Sequence, residues 1–444
     1  MPLTLHVDTP AWHDHLRGMV AAQPGLVPVA KGNGYGFTIP LLARTAAGLR
    51  VRQIAVGTTG DAAVALRKYP GDVIVLEEPA RTGPLPVDLD RRVVCTAPSV
   101  QAVAGLAGHR LIVEGRTSLL RQGITEADLP ALHRVTGGGR AIEAFSLHLP
   151  IGRPAGTDPV AQTARWVRAL RGAGFQVPTM YVSHFEPAEL AALAAAFRGT
   201  SFRQRVGTRL WLGNRTALHA AATVLQVVPV RRGERFGYRQ YRAARDGWLV
   251  MVGGGTAHGV GLEVPGARRG LRPQGRALAR FGLAAMHRVR SPFTWDGRKQ
   301  WFAEQPHMLV SMLLLPHDTQ PPQPGMELAA ELRHTTTRFD DISMRPCLCR
   351  VDGHSGIRAV PRWTAGRIGT LSGSNLSADP PVKPSAALLP VTAMTRFPQF
   401  TSTLRGGGGT PRTGARRRDC LVVVVISGWW HSETYGGVHT AESG

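Results

Sequence analysis

Residues 27–58, VPVAKGNGYGFTIPLLARTAAGLRVRQIAVGT, hold the pattern that recurs through the first half of the chain. A short apolar run, VPVA, leads into a glycine-rich turn, then a helical Ala/Leu segment, then a second apolar run. Eight such runs lie between residue 27 and about residue 208: VPVAK (27–31), QIAVGT (53–58), DVIVLE (72–77), RVVCTA (92–97), RLIVEG (110–115), EAFSLHL (143–149), TMYVSH (179–184) and RQRVGT (203–208). Amphipathic or Ala/Leu-rich segments such as DPVAQTARWVRALRGAG and PAELAALAAAFRG separate most of them. Continuously apolar strands alternating with helices indicate parallel strands covered on both faces. Eight such units predict an α/β fold with an N-terminal (β/α)8 TIM barrel. An open doubly wound sheet is the competing arrangement.

The pattern changes after about residue 215. TALHAAATVLQVVPV, GERFGYRQYRA, GWLVMVGGG and HMLVSMLLLP read as strands without long helices between them. The expected organisation is a barrel over residues 1–221, a mostly β domain over 222–343, and a tail over 344–444. The opening LTLHVD reads as one more strand, which leaves residues 1–9 open to pairing with the β domain. PAWHDHLRGMVAA is then the helix that enters the barrel. The tail is rich in Pro, Gly, Ser and Arg and reads as disordered or poorly ordered. Its LVVVVI run is too short to span a bilayer.

The formal charge is +23, from 53 basic and 30 acidic residues. Residues 344–444 hold 12 Lys/Arg against 5 Asp/Glu, and the remaining excess is scattered, without an aromatic-interleaved basic stripe. Nucleic-acid binding is therefore not expected. The absence of an apolar run near 18 residues argues against a membrane span, and the start of the chain lacks a signal core. Both point to the cytoplasm. Four irregularly spaced cysteines fit a reducing compartment, and the lone Cys347-x-Cys349 pair predicts no metal.

A (β/α)8 barrel places its chemistry at the C-terminal ends of its strands. Lys31 ends the first strand, Arg121 follows the fifth, His148 lies near the end of the sixth and His184 ends the seventh. Gly207 and Thr208 end the eighth, just after Arg205. Lys31 is one of only four lysines. A lysine at the rim of an apolar barrel loses hydration, which lowers its pKa and makes its amine a better nucleophile toward a carbonyl. The following GNGYG fits neither a dinucleotide fingerprint nor a P-loop.

VPVAKGNGYG resembles the cofactor-lysine segment of the alanine racemase family, the fold-type-III pyridoxal-phosphate enzymes. The resemblance covers residue 1 to about 343 and is weaker in the later part. It implies pyridoxal 5'-phosphate as cofactor, a small amino-acid substrate, isomerase activity and a homodimer with a shared active site. Lys31 is similar to the Schiff-base lysine, which is also one of two catalytic bases. Tyr35 resembles the tyrosine at the cofactor phosphate, and Gly207 and Thr208 match positions whose N–H groups hold it. Arg121 is similar to the arginine that reaches the phenolic oxygen, and His148 to the histidine beside the pyridine ring. Arg205 resembles the arginine paired with the pyridine nitrogen, and His184 joins the cofactor pocket by its place at the rim. Tyr238, in GERFGYRQY, resembles the second base, supplied by the partner subunit, with Arg235 and Arg239 as nearby positive charge.

Three departures stand out. Glu114 occupies a position that carries a lysine in the family, a carboxylate available to hold Arg121. GGGTAHG (253–259) lacks the Tyr and Asp of the family's Gly-Tyr-x-Asp-Gly, and Met308-Leu309 lacks the Asp of its Met-Asp pair. Other pyridoxal-phosphate chemistry on D-amino acids, such as aldol cleavage or decarboxylation, and cofactor binding with little catalysis are the alternatives.

Overall fold

The computed structural model describes residues 2–77, 89–138, 142–262 and 289–346, all within one compact unit. Strand β1 (Leu3–Asp8) and helix α1 (Thr9–Ala22) precede the barrel. The barrel strands are β2 (Val27–Ala30), β3 (Gln53–Val56), β4 (Asp72–Val75), β5 (Val93–Ala97), β6 (Arg110–Gly115), β7 (Ile142–Leu147), β8 (Thr179–Val182) and β9 (Ser201–Val206). Each pairs in parallel with the next, and β9 returns to β2 through Val27↔Arg205 and Pro28↔Val206. All eight apolar runs read from the sequence are strands of this closed barrel.

Helices α2 (Ile39–Gly48), α3 (Thr59–Leu66), α4 (Val100–Gly105), α5 (Leu129–Val135), α6 (Pro159–Gly172) and α7 (Pro187–Ala196) follow strands, and α8 (Thr208–Trp211) follows β9. Their starts are written locally. Thr58 and Asp61 form a reciprocal capping box on α3, Ser99 caps α4 and Asp158 caps α6. Pro10, Pro159 and Pro187 sit in first turns, where no backbone N–H is needed.

Successive strand residues face opposite sides, and the two sides of the barrel wall form separate clusters. Val27, Val29, Ala55, Ile74, Val94, Ile112, Ala144 and Tyr181 fill the interior. Ala30, Ile54, Val56, Val75, Val113, Phe145, Leu147, Val182 and Val206 pack outward against the helices. This alternation decides which rim residues face the mouth.

The remaining strands form an eight-stranded sheet. They are β10 (Leu218–Val230), β13 (Gly247–Gly253), β14 (Arg290–Trp295), β15 (Arg298–Phe302), β16 (Val310–Pro316), β17 (Glu327–Ala330) and β18 (Asp341–Arg345), together with β1. A short hairpin of β11 (Arg235–Phe236) and β12 (Tyr241–Arg242) projects beside them. β1 pairs antiparallel with β10, from Leu3↔Ala222 to Val7↔Leu218, and in parallel with β18. The sheet core includes Leu3, Ala222, Val250, Val252, Phe293, Leu313 and Leu328. No described helix is long and apolar enough to cross a membrane. β18 runs to Arg345, and Cys347, Cys349 and the rest of the tail lie outside the described residues.

Candidate active site

Carrying the strand alternation past the ends of the strands selects the residues of the mouth. Lys31 follows inward Val29, His148 follows inward Ser146, and Glu114 follows inward Ile112. Arg205 continues the inward side of β9, and Gly207 comes next on the same side. His184 is out of step with inward Tyr181. Its left-handed φ of 64°, uncommon for a non-glycine residue, turns it back, and its ring meets that of His148 edge-on with centroids 5.5 Å apart.

Lys31 is accessible at the mouth, yet the surrounding wall strips part of its hydration. That desolvation pushes its pKa down, and Arg121 and then Arg205 push it further, against weaker opposition from Glu77 and Glu114. His148 is pushed to about 3 by burial first, then by Arg205, His184, Arg121 and Lys31. Burial and Arg205 also lower the pKa of His184. Both imidazoles are therefore neutral near pH 7, and the fixed charge of the mouth is mostly positive, which suits an anionic ligand.

Arg205 is buried, at 8% exposure. It donates to the Leu147 carbonyl at 3.3 Å and stands 3.8 Å from Glu114. Ser146 donates to the same carboxylate at 3.4 Å. Glu114 thus faces Arg205, whereas the sequence reading had it available for Arg121. Arg121 lies in the exposed loop after β6, without an ion pair among the described residues.

A cradle of hydrogen-bond donors lies where the turn after β2 meets the start of α8. Tyr35 is buried in a left-handed conformation, φ 57°, and burial alone pushes its hydroxyl pKa up to about 12. It remains a neutral phenol able to donate. Its hydroxyl stands over Gly207: a Cβ built there would overlap the hydroxyl and lie 2.8 Å from the ring carbon Cζ. Gly207 opens α8, and the N–H groups of Gly207 and Thr208 have no acceptor among the described residues. A phenol beside free N–H groups is a donor set of the kind that an oxyanion takes. Two buried bonds brace the cradle: the Trp211 indole donates to the Val29 carbonyl of β2 at 2.8 Å, and the Trp12 indole to the Trp211 carbonyl at 2.9 Å. The side-chain amide of Asn33 ties the same turn to the β domain through the carbonyls of His334 and Thr337, at 2.8 and 2.6 Å.

Lys31, Arg121, His148, His184 and Arg205 therefore influence one another at the mouth, and Tyr35, Gly207 and Thr208 form the cradle. Tyr238 is elsewhere. It caps the β11–β12 hairpin, 85% exposed, with Glu304 and His307 as its partners. Arg235 and Arg239 are exposed, and Arg235 donates to the Gln240 carbonyl. The loop GGGTAHG is laced to residues 307–309 by Gly254, Thr256 and Ala257 N–H groups, leaving Met308 and Leu309 exposed. Glu304 and His307 were not singled out from sequence. Their one signal was His307 adjoining Met308, in a segment already set beside a family motif.

The fold is that of the racemases built from a barrel and a following β domain. An alanine racemase from Bacillus anthracis with bound L-Ala-P superposes with a TM-score of 0.55 at 18% identity, covering 77% of this chain and 87% of the other. One from Bartonella henselae with covalently bound pyridoxal phosphate gives 0.53 at 15%, covering 75% and 91%. No family model matches the chain. The alanine racemase of Nitratidesulfovibrio vulgaris (strain Miyazaki F) is 27% identical over 291 residues, covering 59% of this chain and 77% of the relative. With the fold, these matches support membership of the alanine racemase family.

Proposed function

We propose that this chain is a pyridoxal-phosphate-dependent amino-acid racemase, with Lys31 carrying the cofactor. The observation that carries the reading is the convergence of Lys31, Arg205 and the Tyr35–Gly207 cradle on one barrel mouth. These residues fit the cofactor: a lysine of lowered pKa suits its aldehyde, the cradle its phosphate, and the cationic mouth its charge. In this reading Tyr35, Gly207 and Thr208 hold the phosphate. Arg121 would meet the phenolic oxygen, and His148 and His184 would hold the ring. Arg205 would pair with the pyridine nitrogen.

Bound there, pyridoxal phosphate supplies an electron sink for the carbanion left when an amino acid loses its α-proton. Racemisation needs a base on each face of that carbon. Lys31, whose pKa is lowered by desolvation and then by its arginine neighbours, takes or returns the proton on one face. Tyr238 of a partner subunit serves the other, since within one chain its contacts are Glu304 and His307. Arg205, a guanidinium that stays charged in proteins, would leave the ring nitrogen unprotonated. That tempers the sink and disfavours transamination. Glu114 and the Leu147 carbonyl hold the Arg205 guanidinium in place.

The test is incubation with single enantiomers of amino acids in D2O, followed by chiral analysis. Interconversion with deuterium at the α-carbon is the expected result. Cofactor binding without interconversion of any amino acid would remove the racemase reading. Cleavage or decarboxylation of a D-amino acid is the second reading, favoured by the exposed Leu309 where the family's Met-Asp pair ends in a carboxylate.

A further inference from the structure

Tyr238 is 85% exposed, and an exposed tyrosine ordinarily samples several rotamers. A base that must meet one face of a carbon needs one of them. The flanking arginines do not select it, because Arg235 donates to the Gln240 carbonyl and, among the described residues, neither Arg235 nor Arg239 stacks on the ring.

A different group does touch it. The His307 imidazole lies against the Tyr238 ring, with centroids 4.6 Å apart and planes inclined by 51°. His307 is itself held. Its Nε2 is 2.6 Å from Glu304 Oε1, and an ionised carboxylate only accepts, so Nε2 carries the hydrogen. The Glu304 side chain is 4% exposed, and a buried carboxylate demands such donors. Its other donor is the backbone N–H of Tyr238, at 3.1 Å from Oε2. The carboxylate lies directly beneath the hairpin turn, where a Cβ on Gly237, at φ 71°, would come 2.5 Å from its Cδ. The backbone of His307 is fixed from both sides: its N–H donates to Val310, and its carbonyl accepts from Thr256.

We infer that Glu304 and His307 form a clamp that positions Tyr238, Glu304 gripping its backbone and His307 its ring. This rests on the reading of Tyr238 as the second base. It assigns a role to two residues outside the barrel, and it makes the loop at 304–309 part of the active-site apparatus. Both are positioning residues, acting through Tyr238.

The experiment uses the full chain carrying tyrosine labelled with 13C at Cζ, with the Tyr238 signal identified by its loss in Tyr238→Phe. In the cofactor-free protein, His307→Ala and Glu304→Gln should each move the Tyr238 signal toward that of a freely exposed tyrosine, whereas His307→Gln, which restores a donor to Glu304, should move it less. In the loaded enzyme, both disruptive variants should slow α-proton exchange on the Tyr238 face by about tenfold to a hundredfold, since misplacement by about 1 Å can cost on the order of a hundredfold. KM and exchange on the Lys31 face should stay near wild type. An unmoved Tyr238 signal in both variants overturns the clamp, as does equal loss on both faces. If the wild-type protein exchanges no α-proton, the racemase reading falls, and the labelled signal alone still decides whether the clamp exists.

Discussion

The Tyr35 hydroxyl stands directly over the Cα of Gly207, so closely that any side chain at 207 would displace it. The contact joins the turn after β2 to the start of α8 and shapes the cradle. Gly207→Ala should therefore leave the barrel folded, because its neighbours on β9 are unchanged, but push Tyr35 aside. Losing one hydrogen bond to a charged group costs about 1.5–3 kcal/mol. A titration of the apoprotein with pyridoxal phosphate should show affinity reduced tenfold or more. Unchanged affinity would place the phosphate elsewhere.

His148 links the mouth to acid stability. Unfolded, a histidine takes up a proton near pH 6.5; in the folded mouth His148 refuses it until about pH 3. The unfolded state binds more protons in that window, so stability falls as pH drops from about 6.5 toward 3. Replacing His148 with Gln removes one share of that loss. His334, pushed to about 4 by burial and Arg215, and His184 keep theirs. Urea unfolding at pH 7 and pH 4.5 should show a smaller acid-induced decrease in His148→Gln than in wild type. An equal decrease would mean that His148 is solvated like an ordinary histidine.

Asn33 ties the turn after Lys31 to the β domain, donating twice, to the carbonyls of His334 and Thr337. Asn33→Ala leaves two carbonyls short of a donor, at a cost of about 1–3 kcal/mol in total. Chemical denaturation should report that loss. A change below about 0.5 kcal/mol would show that water replaces the amide.

A shared active site is testable by complementation. Lys31→Ala and Tyr238→Phe each lack one base. In a symmetric dimer whose sites take Lys31 from one subunit and Tyr238 from the other, a randomly mixed population regains about one quarter of its sites. Refolding the two variants together and assaying racemisation should show that recovery. No recovery beyond the separate variants would confine each site to one chain.

Much of this architecture was legible because it rests on short-range rules. Apolar runs such as DVIV and RLIV mark buried parallel strands, and strand alternation aims Lys31, Glu114, His148 and Arg205 inward. The limits are equally physical. Alternation turns Glu114 toward the mouth but does not say which arginine it meets, and the fold pairs it with Arg205 instead of Arg121. The left-handed turn that recovers His184 has no composition signal, since histidine is not glycine. The β14–β15 hairpin was missed although Asp296-Gly297, both with positive φ, is a recognised turn dipeptide. ELAA and DISMR, which form β17 and β18, are too short and too mixed to read as strands by periodicity. The Glu304–His307–Tyr238 contact spans some 70 residues, a distance no local pattern encodes.

The central claim is that Lys31 carries the cofactor. Incubation of the protein with pyridoxal phosphate, reduction with borohydride and peptide mapping test it directly. One labelled peptide, containing Lys31, is expected, with loss of the label in Lys31→Ala. Label on Lys68 or Lys299, or none at all, would contradict it.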